Sequence, residues 1–141
     1  MDFQVIADPL LKHEYDRMQL ACLQHIDRAY TYDYVPPCLQ GGTLYRGQHR
    51  APKGMSLKII NHTNRRLYFF FHHSVHGGYD EIFKYLSEWT QCDDTPQYDI
   101  HNGDHGHKMI MYRSVVEQAE FNIPPTTAIN ACFNIVLAKS S

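Results

Sequence analysis

Histidine is the residue type in this chain best placed to do chemistry. Ten occur in 141 residues, and two groups lie close in sequence: His72, His73 and His76 after an apolar run, and His101, Asp104, His105 and His107 in a polar stretch. Side chains alternate along an extended strand, so His105 and His107 would point the same way. An H-x-H pair of that kind offers two imidazole nitrogens to one divalent metal. His72 or His76 would complete the set if the two stretches adjoin, with Asp104 orienting a ligand or activating water. Zinc held by three histidines would leave a position open for water, and so for hydrolysis. There is no H-E-x-x-H, and Met111 and Tyr112 stand where a glutamate ligand after His107 would be needed.

Other chemistry finds less support. No glycine-rich phosphate loop is present, and no G-x-S-x-G nucleophile elbow. Ser74 adjoins His73, but neighbours on a strand face opposite ways, so the two form no dyad. Cys22, Cys38, Cys92 and Cys132 are scattered, with no C-x-x-C pair, and read as reduced thiols. No cofactor is expected apart from a divalent metal at the histidine cluster.

Charge is segregated along the chain. Between Asp33 and Asp80 there is no acidic residue, while Arg46, Arg50, Lys53, Lys58, Arg65 and Arg66 are all cationic. From Asp80 to Asp104 the balance reverses, with Asp93 and Asp94 in a polar loop and Lys84 the lone cation. If these stretches lie on separate outward faces, they can steer association between copies or with a partner. If they adjoin within one copy, they merely compensate. A third reading is a groove for single-stranded nucleic acid in the 46–66 segment, although a pI near 6.5 lacks the usual basic excess. The ten tyrosines favour contact surfaces, because a Tyr ring offers wide rigid area with few rotors to freeze. Tyr30, Tyr32 and Tyr34 form an alternating trio suited to such a patch.

Function therefore reads first as a non-enzymatic association module, self-assembling or binding a macromolecular partner. Its expected binding residues are Arg46, Arg50, Arg65, Arg66, Tyr30, Tyr32, Tyr34, Asp93 and Asp94. The alternatives are a metal-dependent hydrolase or metal-binding protein using His72, His76, Asp104, His105 and His107, and a single-stranded nucleic-acid binder. The N-terminus has neither the basic segment nor the apolar core of a signal peptide, and no apolar run reaches membrane-spanning length. The expectation is a cytoplasmic protein with no membrane partner.

The elements that must position these residues read as an α+β fold, mainly β, in one domain spanning residues 1–141. Asp8 and Pro9 suit the start of a helix, and Leu11, Tyr15, Met18, Cys22, Ile26 and Tyr30 recur at spacings of three and four. This predicts an N-terminal amphipathic helix packed on an antiparallel sheet or small sandwich of about five strands. The strands are expected around Leu44, over Leu57–Ile60 and Leu67–Phe71, and over His107–Val116 and Ile129–Ala138. His62–Arg65 reads as a hairpin-like turn. A second short helix starts at Asp80, burying Ile82, Phe83, Leu86 and Trp89, and residues 93–106 form a long polar loop.

Overall fold

The computed structural model describes residues 2–72, 78–102, 107–126 and 132–140, the side chains of Asn102 and His107 aside. Nearly all regular structure in these residues is β. In chain order the strands are β1 (Phe3–Asp8), β2 (His13–Arg17), β3 (Tyr32–Tyr34), β4 (Thr43–Gly47), β5 (Ser56–Asn61), β6 (Leu67–Phe71), β7 (Trp89–Gln91), β8 (His101–Asn102), β9 (His107–Lys108), β10 (Ile110–Ser114), β11 (Glu120–Ile123) and β12 (Phe133–Leu137). One short helix, α1 (Tyr79–Phe83), lies between β6 and β7.

All pairing between the strands is antiparallel. A three-stranded sheet, β1-β5-β11, faces a six-stranded sheet, β2-β4-β12-β6-β10-β7, and a small sheet, β3-β8-β9, is hydrogen-bonded to neither but packs Tyr32 against the outer face of the six-stranded one. The sandwich follows from residue patterns. β1 alternates buried and exposed, turning Phe3, Val5 and Ala7 inward. Leu57 and Ile59 of β5 and Phe121 and Ile123 of β11 add to the same layer. Opposite them runs a cross-strand row, Tyr15–Tyr45–Ile135–Phe69–Tyr112, fixed by the register of β2, β4, β12, β6 and β10. Phe69 is its hub, with ring contacts to Phe71, Tyr79, Phe83, Trp89 and Phe133.

β6 and β12 are buried along their whole lengths. A strand buried on both faces needs cover on both, which is why Leu67–Phe71 is continuously apolar. The second cover comes from the connection between β2 and β4 and from the loop before β8. Met18, Cys22, Tyr32, Val35 and Leu39, with Ile100 and Met109, close over Leu44, Tyr68, Phe70, Met111 and Val136.

The N-terminal helix predicted from Pro9 onward does not form. Leu11, Met18 and Cys22 are buried as that periodicity requires, but from extended and turn backbone. β4 needs a partner for its outer edge, and His13–Arg17 supplies a five-residue ladder. Ala21, at φ 66°, lies outside helical backbone altogether. Tertiary pairing overrides a coincidental spacing of three and four. The fold is therefore not α+β, and among the described residues strands far outnumber the five expected. β5 and β6 form as read, but His62–Arg65 carries the chain from one sheet to the other and closes no hairpin. The short helix near Asp80 forms, while Trp89 belongs to β7.

Candidate functional site

The structure scatters much of the expected binding set. Arg46 is buried in β4, 2% exposed, with its guanidinium against Asp16 and with Glu14 3.4 Å from Nε. It cannot steer a partner from there. Lys58 pairs with Glu120 at 2.9 Å, and Lys108 bridges Asp94 and Asp99. The charges that neutralise each stretch thus come largely from outside the opposing one. Arg50 is exposed, and Arg65 and Arg66 are half-buried ahead of β6. The tyrosine trio splits: Tyr32 is buried against Phe70, Tyr30 is half-buried and edge-on to His49 at 5.3 Å, and Tyr34 is exposed.

Of the expected metal set, His76, Asp104 and His105 lie outside the described residues. His107 is described only in backbone, as part of β9, and His72 is half-buried beyond β6.

Tyr34, Asp93 and Asp94 do come together, around a residue the expected set omits. Loop 92–100 carries a short 3-10 turn, Pro96–Tyr98. Asp93 shapes its start by accepting the backbone N–H of Thr95 at 3.1 Å. The Cys38 thiol, donating to the Gln97 carbonyl at 3.4 Å, ties the loop to the chain ahead of β4. Tyr98 accepts a hydrogen bond from Arg113 on β10, whose guanidinium carbon sits 5.4 Å from the Tyr98 ring centroid. Beside it the small sheet sets Tyr34, His101 and Lys108 in one cross-strand row. Tyr34 meets the His101 ring edge-on at 5.6 Å, and Lys108 passes the row on to Asp94 and Asp99.

Two clefts meet at Tyr98. One, of about 380 Å³, is lined by Tyr34, Pro37, Cys38, Tyr68, Pro96 and Gln97. The other, of about 230 Å³, is lined by Gln91, Cys92, Asp93, Asp94, Lys108 and the thioethers of Met109 and Met111. Burial pushes the Cys38 thiol up to about 11 and the Cys92 thiol up to about 12, so neither is an activated thiolate at neutral pH. Burial likewise raises the Tyr68 phenol to about 12. Hydrogen bonds to Asp94 and then Asp99 raise Lys108, while the Lys108 hydrogen bond lowers Asp94. What these clefts present is flat aromatic area bordered by carboxylate, amide and ammonium groups. A lone tyrosine in an otherwise polar loop was the signal that could have singled out Tyr98.

The arrangement defines an antiparallel β-sandwich with a loop-borne aromatic and polar surface. No protein-family model matches the chain, and no curated protein matches it. Among solved structures, a β-glucuronidase from glycoside hydrolase family 2 matches with a TM-score of 0.66 at 13% identity. The match covers 92% of this chain and 14% of that one. The likeness is one of fold, and the chain spans about a seventh of that enzyme's length. No helix among the described residues is long and apolar enough to cross a membrane.

Proposed function

We propose that this chain is a non-enzymatic association module that recognises saccharide carried by a macromolecule, using the surface around Tyr98. The observation that carries the reading is the pairing of aromatic faces with hydrogen-bonding groups at one place. A pyranose ring has an apolar C–H face and a polar hydroxyl edge. Tyr34 and Tyr98 offer area for the face, and Gln91, Asp93 and Gln97 offer acceptors and donors for the edge. The same fold forming part of a β-glucuronidase, a carbohydrate-active enzyme by its description, supports the choice of ligand class.

Calorimetric titration with neutral and uronic-acid oligosaccharides tests this. Removing a ring contact worth about 0.5–1.5 kcal/mol should weaken binding roughly two- to twelvefold in Tyr98→Ala and in Tyr34→Ala. Absence of binding across the panel, or wild-type affinity in both variants, would overturn the reading.

Self-association is a second reading. It is favoured by Leu20 and Leu23, two solvent-exposed leucines on the connection that covers the six-stranded sheet.

A further inference from the structure

Among the described residues, the three best placed to share a metal are far apart in sequence and belong to neither sequence cluster of histidines. His25 lies in the connection between β2 and β3, His49 follows β4, and Cys132 immediately precedes β12. β4 and β12 are paired neighbours, which brings His49 and Cys132 together, and the Cys132 thiol donates to the His49 carbonyl at 2.8 Å. The Ile26 N–H donates to the Gly47 carbonyl at 3.1 Å, holding His25 over the same strand end. One ring nitrogen from each histidine and the Cys132 sulfur all lie within 4.8 Å of one another.

A second observation points to a ligand. His25 is 2% exposed, yet Nδ1 of His25 and Nδ1 of His49 are both buried with no hydrogen-bond partner among the described residues. A buried imidazole nitrogen left unsatisfied costs free energy, so groups of this kind normally have partners. The two rings stand 5.1 Å apart, edge to face, which places both imidazoles at one point of the fold. Asp27 braces the site from outside by accepting the His49 backbone N–H at 2.8 Å.

We propose that His25, His49 and Cys132 bind one divalent cation of the zinc class. Two imidazoles and a thiolate suit a borderline-soft metal and not magnesium or calcium, which take oxygen ligands. Tetrahedral zinc, with bonds of about 2.0–2.3 Å, needs donor atoms roughly 3.3–3.6 Å apart, a spacing that side-chain shifts of at most about 1.5 Å would reach from the 4.8 Å limit. Binding exchanges the Cys132 S–H bond for a sulfur–metal bond and releases one proton to solvent. The fourth position falls to water. The cation would join the covering connection to the ends of β4 and β12.

Cobalt(II) titration of purified, chelator-treated protein reads the donor set directly. The proposal expects one equivalent to bind with tetrahedral visible bands and a near-ultraviolet thiolate-to-cobalt transition. Cys132→Ser should abolish that transition while circular dichroism shows an intact fold, and His49→Ala should weaken binding by at least about tenfold. The other histidines can bind cobalt too, but not with a signal that depends on Cys132. No stoichiometric binding, binding without the thiolate transition, or a transition surviving Cys132→Ser would each overturn the proposal.

Discussion

Arg46 gives the sharpest test of how the outer edge of the six-stranded sheet is held. Its cross-strand neighbours are Glu14 on β2 and Asn134 on β12. The guanidinium is buried, whereas the Glu14 and Asp16 side chains are 53% and 49% exposed. The two sides of the pair should therefore behave unequally. Glu14→Gln combined with Asp16→Asn strands a buried cation, which costs about 3–5 kcal/mol when nothing compensates it. Arg46→Met removes the cation, keeps similar volume and returns two carboxylates to water, so its cost should stay near 1 kcal/mol. Asp16→Asn alone leaves Glu14 in place and should fall between, at about 1–2 kcal/mol after solvent screening of the half-exposed carboxylate.

Urea unfolding at pH 7 measures all three. With a slope of about 1–3 kcal/mol per molar, the double acid variant should lose roughly 1–5 M in midpoint and Arg46→Met no more than about 1 M. The Asp16 carboxyl is held below its ordinary range, first by the Arg17 backbone N–H and in part by Arg46. A lowered carboxyl stabilises the fold above its unfolded pKa of about 3.9 and loses that contribution as pH falls through its folded value. Asp16→Asn should therefore flatten the acid limb of stability below about pH 4. If Arg46→Met unfolds the protein while the double acid variant is unaffected, the arginine acts through packing and the electrostatic argument fails.

Phe69→Ala, at the hub of the aromatic row, should cost about 3–5 kcal/mol in denaturant melts, and a loss below 1 kcal/mol would contradict the core assignment. Gly42→Ala should destabilise by about 1–3 kcal/mol, because a Cβ there would stand 2.4 Å from the Leu137 carbonyl oxygen and 2.8 Å from Val136. A melt identical to wild type would show that β4 and β12 do not approach so closely. If copies associate, Leu20→Asp with Leu23→Asp, or Arg65→Glu with Arg66→Glu, should lower the assembled fraction in sedimentation. A uniformly monomeric wild-type protein would remove that reading.

The strands most legible in the sequence were those whose apolar content exceeds what one covered face requires. Leu67–Phe71 is apolar enough to be central, and it is; the alternation expected over Ile129–Ala138 marks a strand that forms over Phe133–Leu137, residues 129–131 lying outside the described ones. β1 and β2 were not legible. Phe3, Val5 and Ala7 alternate over too short a stretch to stand out, and His13–Arg17 is a polar edge strand with a single inward ring at Tyr15. Edge strands carry charge to avoid stray pairing, which hides them from a search for apolar pattern. At the site, loop 93–106 is marked by its length and polarity, and β3 by the alternating tyrosines, while the meeting of Tyr34 with Tyr98 depends on pairing with β8 and β9, whose two residues each leave no periodicity to read. His25, His49 and Cys132 had no local signature, because only the pairing of β4 with β12 brings two of them together.

Amide chemical-shift mapping during titration with a uronic-acid oligosaccharide tests the proposed recognition surface most directly. The account predicts saturable shifts confined to Tyr34, residues 91–101 and the stretch from Lys108 to Arg113. Shifts centred on β1, β5 and β11, or none at millimolar ligand, would contradict it.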